Sequence, residues 1–278
     1  MPPLSGRTIA LLESRMSDEL AAMVVRLGGT PVSAPAVKEV PHLHEAAEQV
    51  TALLAGRYRA VIFLTGAGVS AVLREAEKQG QLTPLREALT AVTVAARGPK
   101  PLAVLKRHGI PVRVTTVKPH TSRELLAALA DVPFGGTPTL LVHYGERNAE
   151  LSTALRARGA RLAEACPYEW ALPDDPHPLA ALVRDVLEMR IDAILVTSQV
   201  QGRHLFQVAR EMRLAHELAA ALNRTVIVGA VGPVCASALK EYGVTVDVMP
   251  AAPNMASLIT AVSDYFSLTG RGDTPGLA

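Results

Sequence analysis

The chain has 278 residues, 49% of them hydrophobic and 19% charged. That is apolar enough to build real cores, long enough for about two domains, and unlike a disordered or coiled-coil composition. A formal net charge of +2 and 4% aromatic residues argue against a nucleic-acid partner, because neither a basic footprint nor a base-stacking platform is present.

Short apolar runs recur along the chain, each followed by a turn and a stretch with helical spacing. In chain order they are 8–12, 60–64, 92–96, 139–143, 193–197 and 225–231. None alternates, which is the pattern of a strand buried on both faces. Between them, Leu20, Val24 and Leu27 fall on one helical face. Strand, helix, strand in this rhythm predicts parallel sheets flanked by helices. Residues 112–114 and 244–248 read as edge strands.

The sequence also repeats itself with a period of about 132 residues. Residues 98–119 overlay 232–253 without a gap, with eight identities that include Gly98/Gly232, Leu105/Leu239, Gly109/Gly243 and Pro119/Pro253. Residues 63–69 overlay 195–201, and 8–15 overlay 139–147 with one insertion. A period of this kind predicts two copies of one α/β unit. Each copy carries an extended, proline-marked segment at a matching place, 35–41 and 167–173, and proline disfavours helix before it. If both are linkers, one lobe holds 1–37 with 173–266 and the other 41–167, with 38–40 and 168–172 between them. A split near 132–137 is the competing division. The Gly- and Pro-containing tail, 267–278, reads as disordered.

Parallel sheets bind ligands outside the carboxyl ends of their strands. Four such ends carry small or hydroxylated residues: Thr65-Gly66, Arg97-Gly98-Pro99, Thr197-Ser198 and Gly232-Pro233. Small residues admit close approach, and the helix N-termini that follow favour anions. Any strand-to-helix turn needs the same residues, so one corner alone decides nothing; four related corners favour a ligand with several anionic groups. Arg15 and Arg147 follow the first strand of each copy and could clamp carboxylates or be solvated. Tyr168 lies in the second linker, either as a proton or hydrogen-bond donor or as a packed ring. Gly66-x-Gly68 suggests a dinucleotide loop, but the third glycine and the later acidic residue are missing. Cys166 and Cys235 form no C-x-x-C, and the histidines are scattered, so no metal site is expected. The N-terminal apolar run is too short for a signal peptide and no window reaches the ~20 apolar residues of a membrane span. A cytoplasmic protein without a membrane partner is the expectation.

Taken together, Arg15, Thr65-Gly66, Gly98-Pro99, Gly145-Glu146-Arg147, Tyr168, Thr197-Ser198, Gly232-Pro233 and Pro253 with Ser257-Leu258, in this order and spacing, resemble the uroporphyrinogen-III synthase family. Gly66 departs from the serine often found there. The resemblance implies two α/β lobes joined by a two-stranded linker, and a monomer that needs no cofactor. It implies conversion of a linear tetrapyrrole polycarboxylate, hydroxymethylbilane, to uroporphyrinogen III with inversion of ring D and loss of water. On this reading Tyr168 assists departure of the hydroxyl. Thr65, Gly66, Arg97, Gly98, Thr197, Ser198, Gly232 and Pro233 hold the substrate's arms, with Arg15 and Arg147 as auxiliary anion contacts. A two-lobed small-molecule sensor and a nucleotide-dependent oxidoreductase are the alternatives.

Overall fold

The computed structural model describes residues 2–143 and 145–269. The chain forms two compact units. One runs from the N-terminus to Lys38 and resumes at Ala171; the other is Glu39–Trp170. Each is a parallel sheet flanked by helices.

The first unit contains β1 (Thr8–Leu11), α1 (Ser17–Arg26) and β2 (Thr30–Ser33). The chain then passes through β3 (Lys38–Pro41) into the second unit: α2 (Leu43–Leu54), β4 (Ala60–Phe63), α3 (Gly66–Lys78), α4 (Leu82–Thr90), β5 (Thr93–Ala96), α5 (Pro99–Arg107), β6 (Val114–Thr115), α6 (Ser122–Ala128), β7 (Pro138–Val142), α7 (Ala149–Ala157) and β8 (Arg161–Ala165). It leaves through β9 (Tyr168–Ala171), which pairs with β3 in a two-stranded sheet. The first unit is then completed by α8 (His177–Leu187), β10 (Ala193–Val196), α9 (Gln199–Glu211), α10 (Ala215–Thr225), β11 (Ile227–Ala230), α11 (Pro233–Lys240) and α12 (Met255–Thr269).

The sheet orders are β11-β10-β1-β2 and β6-β5-β4-β7-β8, with every pairing parallel. A parallel bridge of Gly229 to Val248 stands beside β11 where β6 stands beside β5. Under the sequence repeat β10 corresponds to β4, β11 to β5, β1 to β7 and β2 to β8. The two orders are therefore the same order, and each unit is assembled from one half of each sequence copy.

The strands are buried on both faces because their residues alternate between two cores. Ile9, Leu11, Ala193, Leu195 and Ile227 pack with α1 and α12. Ala10, Ile194, Val196 and Val228 pack with α8, α9 and α10. In the second unit Val61, Phe63, Val94 and Val142 face α2 to α5, while Ile62, Ala95 and Leu141 face α6 and α7. Each such side chain contributes about 1.5–3 kcal/mol when fully buried.

Three expectations need correction. Thr225 ends α10 instead of opening a strand, its Oγ1 donating to the Ala221 carbonyl. Of the two edge segments, only Val114–Thr115 is a strand, and the other reduces to a bridge at Val248. Helix α12 runs to Thr269, so 267–269 are not tail; residues 270–278 of the expected disordered tail lie outside the described residues. No helix among the described residues is long and apolar enough to cross a membrane.

Candidate functional site

All strands of a parallel sheet end on one edge, so the residues following β4, β5, β6 and β7 share the carboxyl edge of the second unit. Thr65 follows β4 and caps α3: its backbone is extended and its Oγ1 accepts from the Gly68 N–H at 3.1 Å. Helix formation leaves the first-turn N–H groups without intrahelical partners, and Thr65 satisfies one. The same Oγ1 lies 2.8 Å from the Tyr168 hydroxyl. Strand β9 thus brings a phenol, only 4% exposed, to the positive end of α3.

The neighbouring corners are tighter than small residues suggest. A side-chain carbon at Gly66 would stand 3.1 Å from the Lys100 carbonyl oxygen, so this glycine lets α3 approach the start of α5. Gly98 has φ 87, a backbone that favours glycine, and the His120 ring packs 3.2 Å from where its side chain would begin. His120 itself is held by Thr116, whose Oγ1 is 2.8 Å from Nδ1. At both glycines the space a side chain would take is bounded by a neighbour, Lys100 at Gly66 and His120 at Gly98. Pro99 and Pro101 also remove N–H donors from the first turn of α5, leaving α3 the better anion terminus. Arg97 follows β5, half-buried.

After β7, Arg147 pairs with both oxygens of Glu45, at 2.9 and 3.1 Å. Glu45 also accepts from the Cys166 N–H at 2.7 Å. An incoming carboxylate must therefore compete with Glu45 for Arg147. Gly145 has φ 83, bridges to Glu169, and accepts from the Trp170 N–H at 3.0 Å. A side-chain carbon there would fall on the indole, 2.6 Å from Cε2 and 2.8 Å from Cγ of Trp170. Gly145→Ala is expected to cost about 2–3 kcal/mol, from left-handed backbone strain and overpacking together. Urea denaturation checks it, and a loss below about 0.5 kcal/mol would show that the indole yields.

In the first unit the corresponding edge is already satisfied by its own side chains. Thr197 Oγ1 donates to Glu13 at 2.6 Å, and Gln201 Nε2 donates to the same carboxylate oxygen at 3.2 Å. Ser198 caps α9, accepting from the Gln201 N–H, while the Gln201 side chain accepts from the Thr197 and Ser198 N–H groups. The Arg15 N–H donates to Glu13 at 3.3 Å. Gly232 is extended at φ 178, and Pro233 opens α11. Thr197 and Ser198 are thus committed to a fixed carboxylate and a capping box.

Sequence reasoning missed two groups. One is Glu13, which follows β1 and looks like any surface acid until Thr197 and Gln201 are folded onto it. The other is His143, fully buried after β7, with Nε2 2.8 Å from Glu164. A histidine ending an otherwise apolar strand was the available signal. Neither cysteine is a nucleophile at neutral pH. Burial pushes the Cys166 thiol up to about 11 and the Cys235 thiol up to about 12. Among the described residues no group of three or more His, Cys, Asp or Glu side chains could hold a metal ion.

Duplicated parallel α/β units, with strand ends carrying hydroxyls and a phenol on a connecting strand, define a two-lobed α/β protein. The sequence profile described as Uroporphyrinogen-III synthase HemD matches residues 18–260, and the chain belongs to the uroporphyrinogen-III synthase family. It is 29% identical over 271 residues to the uncharacterized protein YjjA of Bacillus subtilis (strain 168), covering 95% of this chain and 97% of that one. A crystal structure of a mutant uroporphyrinogen III synthase from the extremely thermophilic bacterium Thermus thermophilus is 27% identical, with a TM-score of 0.78, over 95% of this chain and 100% of that one. The wild-type enzyme of that organism, in another crystal form, is 29% identical with a TM-score of 0.62, over 95% and 99%.

Proposed function

We propose that this chain is a uroporphyrinogen-III synthase, closing hydroxymethylbilane to uroporphyrinogen III with inversion of ring D and loss of one water. The observation that carries the reading is the Thr65–Tyr168 hydroxyl pair at the start of α3, in a chain whose family is known by that reaction. The reading extends to a cofactor-independent hydro-lyase, acting as a cytoplasmic monomer on a small-molecule substrate.

The chemistry asks for one well-placed donor more than for a powerful nucleophile. The terminal hydroxyl departs as water when it receives a proton and takes the C–O electron pair, while a pyrrole nitrogen lone pair forms the new C=N bond. Tyr168 is the donor in this scheme. Ring D then attacks through its substituted carbon. The resulting spiro centre fragments and closes again with the ring reversed, and the proton released on rearomatisation restores the phenol. Protons and water balance without an external reagent. Geometry supplies the rest: holding the chain ends together is worth as much as ~7–11 kcal/mol. The α3 terminus and Arg97 would hold acid arms of the substrate, with Gly66 and Gly98 contributing main-chain contact. Thr197 and Arg147 would contact it by sharing or releasing Glu13 and Glu45, with Ser198, Gly232, Pro233 and Arg15 as further contacts.

The test is a coupled assay with enzymatically made hydroxymethylbilane and chromatographic separation of isomers. The type III isomer is the expected product. Type I alone, as forms without enzyme, would refute the reading.

A further inference from the structure

The duplicated architecture allows one carboxyl edge to be compared with the other, position by position. Helices α5 and α11 start at equivalent residues, Pro99 and Pro233, and strands β5 and β11 are displaced by the same 134 residues. That displacement sets Arg97 against Val231, Lys100 against Val234 and Lys118 against Ala252. Three cations on the second unit thus match three aliphatic residues at equivalent places on the first. Lys100 and Lys118 are exposed, and Val234, at the second position of α11, is 52% exposed. The exposed Met16 and Met249 belong to the first unit's edge as well, and the fixed carboxylate there is Glu13. At these three places one sheet edge is basic and the other aliphatic, although the backbone is the same.

From this asymmetry we infer that Lys100 and Lys118 are carboxylate-binding residues alongside Arg97. The inference rests on the function proposed above for the identity of the polycarboxylate, and it names residues which that reading does not need. Lysine suits such a role: a compact charge on a flexible stem follows a mobile propionate arm better than a rigid fork does. At the equivalent places on the first unit valine and alanine carry no charge, and the carboxylate fixed there by Thr197 is Glu13.

The experiment exchanges residues between the copies and measures equilibrium binding of uroporphyrin I, a stable compound with eight carboxylates, to the full chain at low and high salt. Exposed ion pairs are individually weak and screened. The combined variant Lys100→Val with Lys118→Ala is therefore expected to weaken low-salt binding about tenfold and to flatten its salt dependence. Val234→Lys is expected to leave the constant within about twofold. Unchanged binding in the double variant overturns the inference. So does a Val234→Lys chain that tightens as much as the double variant weakens, or a wild-type chain whose binding ignores salt. The outcome is separable from the isomer assay. Salt-dependent binding that the lysine exchange abolishes upholds the inference even where no type III product forms. Type III product with lysine-independent binding upholds only the function.

Discussion

Tyr168→Phe is expected to lower kcat for type III formation about 100-fold while leaving KM within a few-fold, the usual scale for removing a positioned acid. The phenol is 4% exposed and its oxygen is 2.8 Å from Thr65 Oγ1. Thr65 already accepts the Gly68 N–H, so when its own hydrogen points to the Tyr168 oxygen, the phenolic hydrogen is turned away from Thr65. The N-terminal end of α3 favours the negative charge that develops on the phenol as the proton leaves. Phenylalanine keeps the ring and removes the hydroxyl. Because uncatalysed closure gives the other isomer, the fraction of type I product should rise as the catalysed route slows. Loss of one buried hydroxyl contact costs about 1 kcal/mol of stability, too little to unfold the chain. Unchanged turnover together with an unchanged isomer ratio would remove Tyr168 from the mechanism. A Thr65→Ala chain, which loses the α3 cap at a cost of about 1 kcal/mol, should slow turnover in the same direction. The double variant should be little worse than Tyr168→Phe alone, because two groups acting as one unit are not additive.

That pair also marks where sequence reasoning stops. Its members are 103 residues apart, and nothing local to either announces the other. What the sequence carries well is whatever is written in continuous burial. The runs at 60–63 and 193–196 are buried at every position and stand out as apolar blocks. Strands β2 and β8 are absent from that reading, because both sit at a sheet margin with exposed or half-exposed residues, such as Thr30, Ser33 and Arg161. Residues 225–226 misled because β-branched residues also close helices, and Thr225 does so by bonding back one turn. The glycine corners are ambiguous for a different reason. A missing side chain shows only that something comes close, and at Gly66 and Gly98 that something is Lys100 and His120. The paired proline segments, 35–41 and 167–173, lie where the chain passes from one unit to the other. The partners that occupy Thr197 and Arg147, by contrast, come from Glu13 and Glu45, which no spacing rule connects to them.

The stability of the second unit is expected to fall as pH drops below about 6.5, and His143 is the reason. Its Nδ1 accepts from the Asn148 N–H at 3.1 Å, so the hydrogen is on Nε2 and is donated to Glu164 at 2.8 Å. Glu164 also accepts from Ser152 Oγ at 2.8 Å and pairs with Arg156. Burial pushes the imidazole pKa down, against the opposing pull of Glu164, and the net shift from 6.5 is downward. Burial alone would raise Glu164, but its hydrogen bonds from Ser152, His143 and Arg156 prevail and hold it below 4.5. Both groups thus have depressed values in the folded chain. Their stabilisation is complete above the unfolded values and is lost as pH falls through the folded ones, first for His143 and then for Glu164. His143→Phe should cost about 2–4 kcal/mol, because it removes one donor from the buried side of Glu164 and strands the Asn148 N–H. That corresponds to a Tm roughly 5–15 °C lower, and the decline between about pH 6.5 and 5 should become shallower. Thermal melts across pH test both parts, and a variant with the wild-type Tm and pH slope would show that the network contributes nothing. The consequence reaches the proposed site. Asn148 caps α7 just beyond Gly145, whose carbonyl ties β9 through Trp170. Loosening the end of β7 therefore loosens the strand that carries Tyr168, so turnover should decline with acid more steeply than protonation of substrate carboxylates alone would dictate.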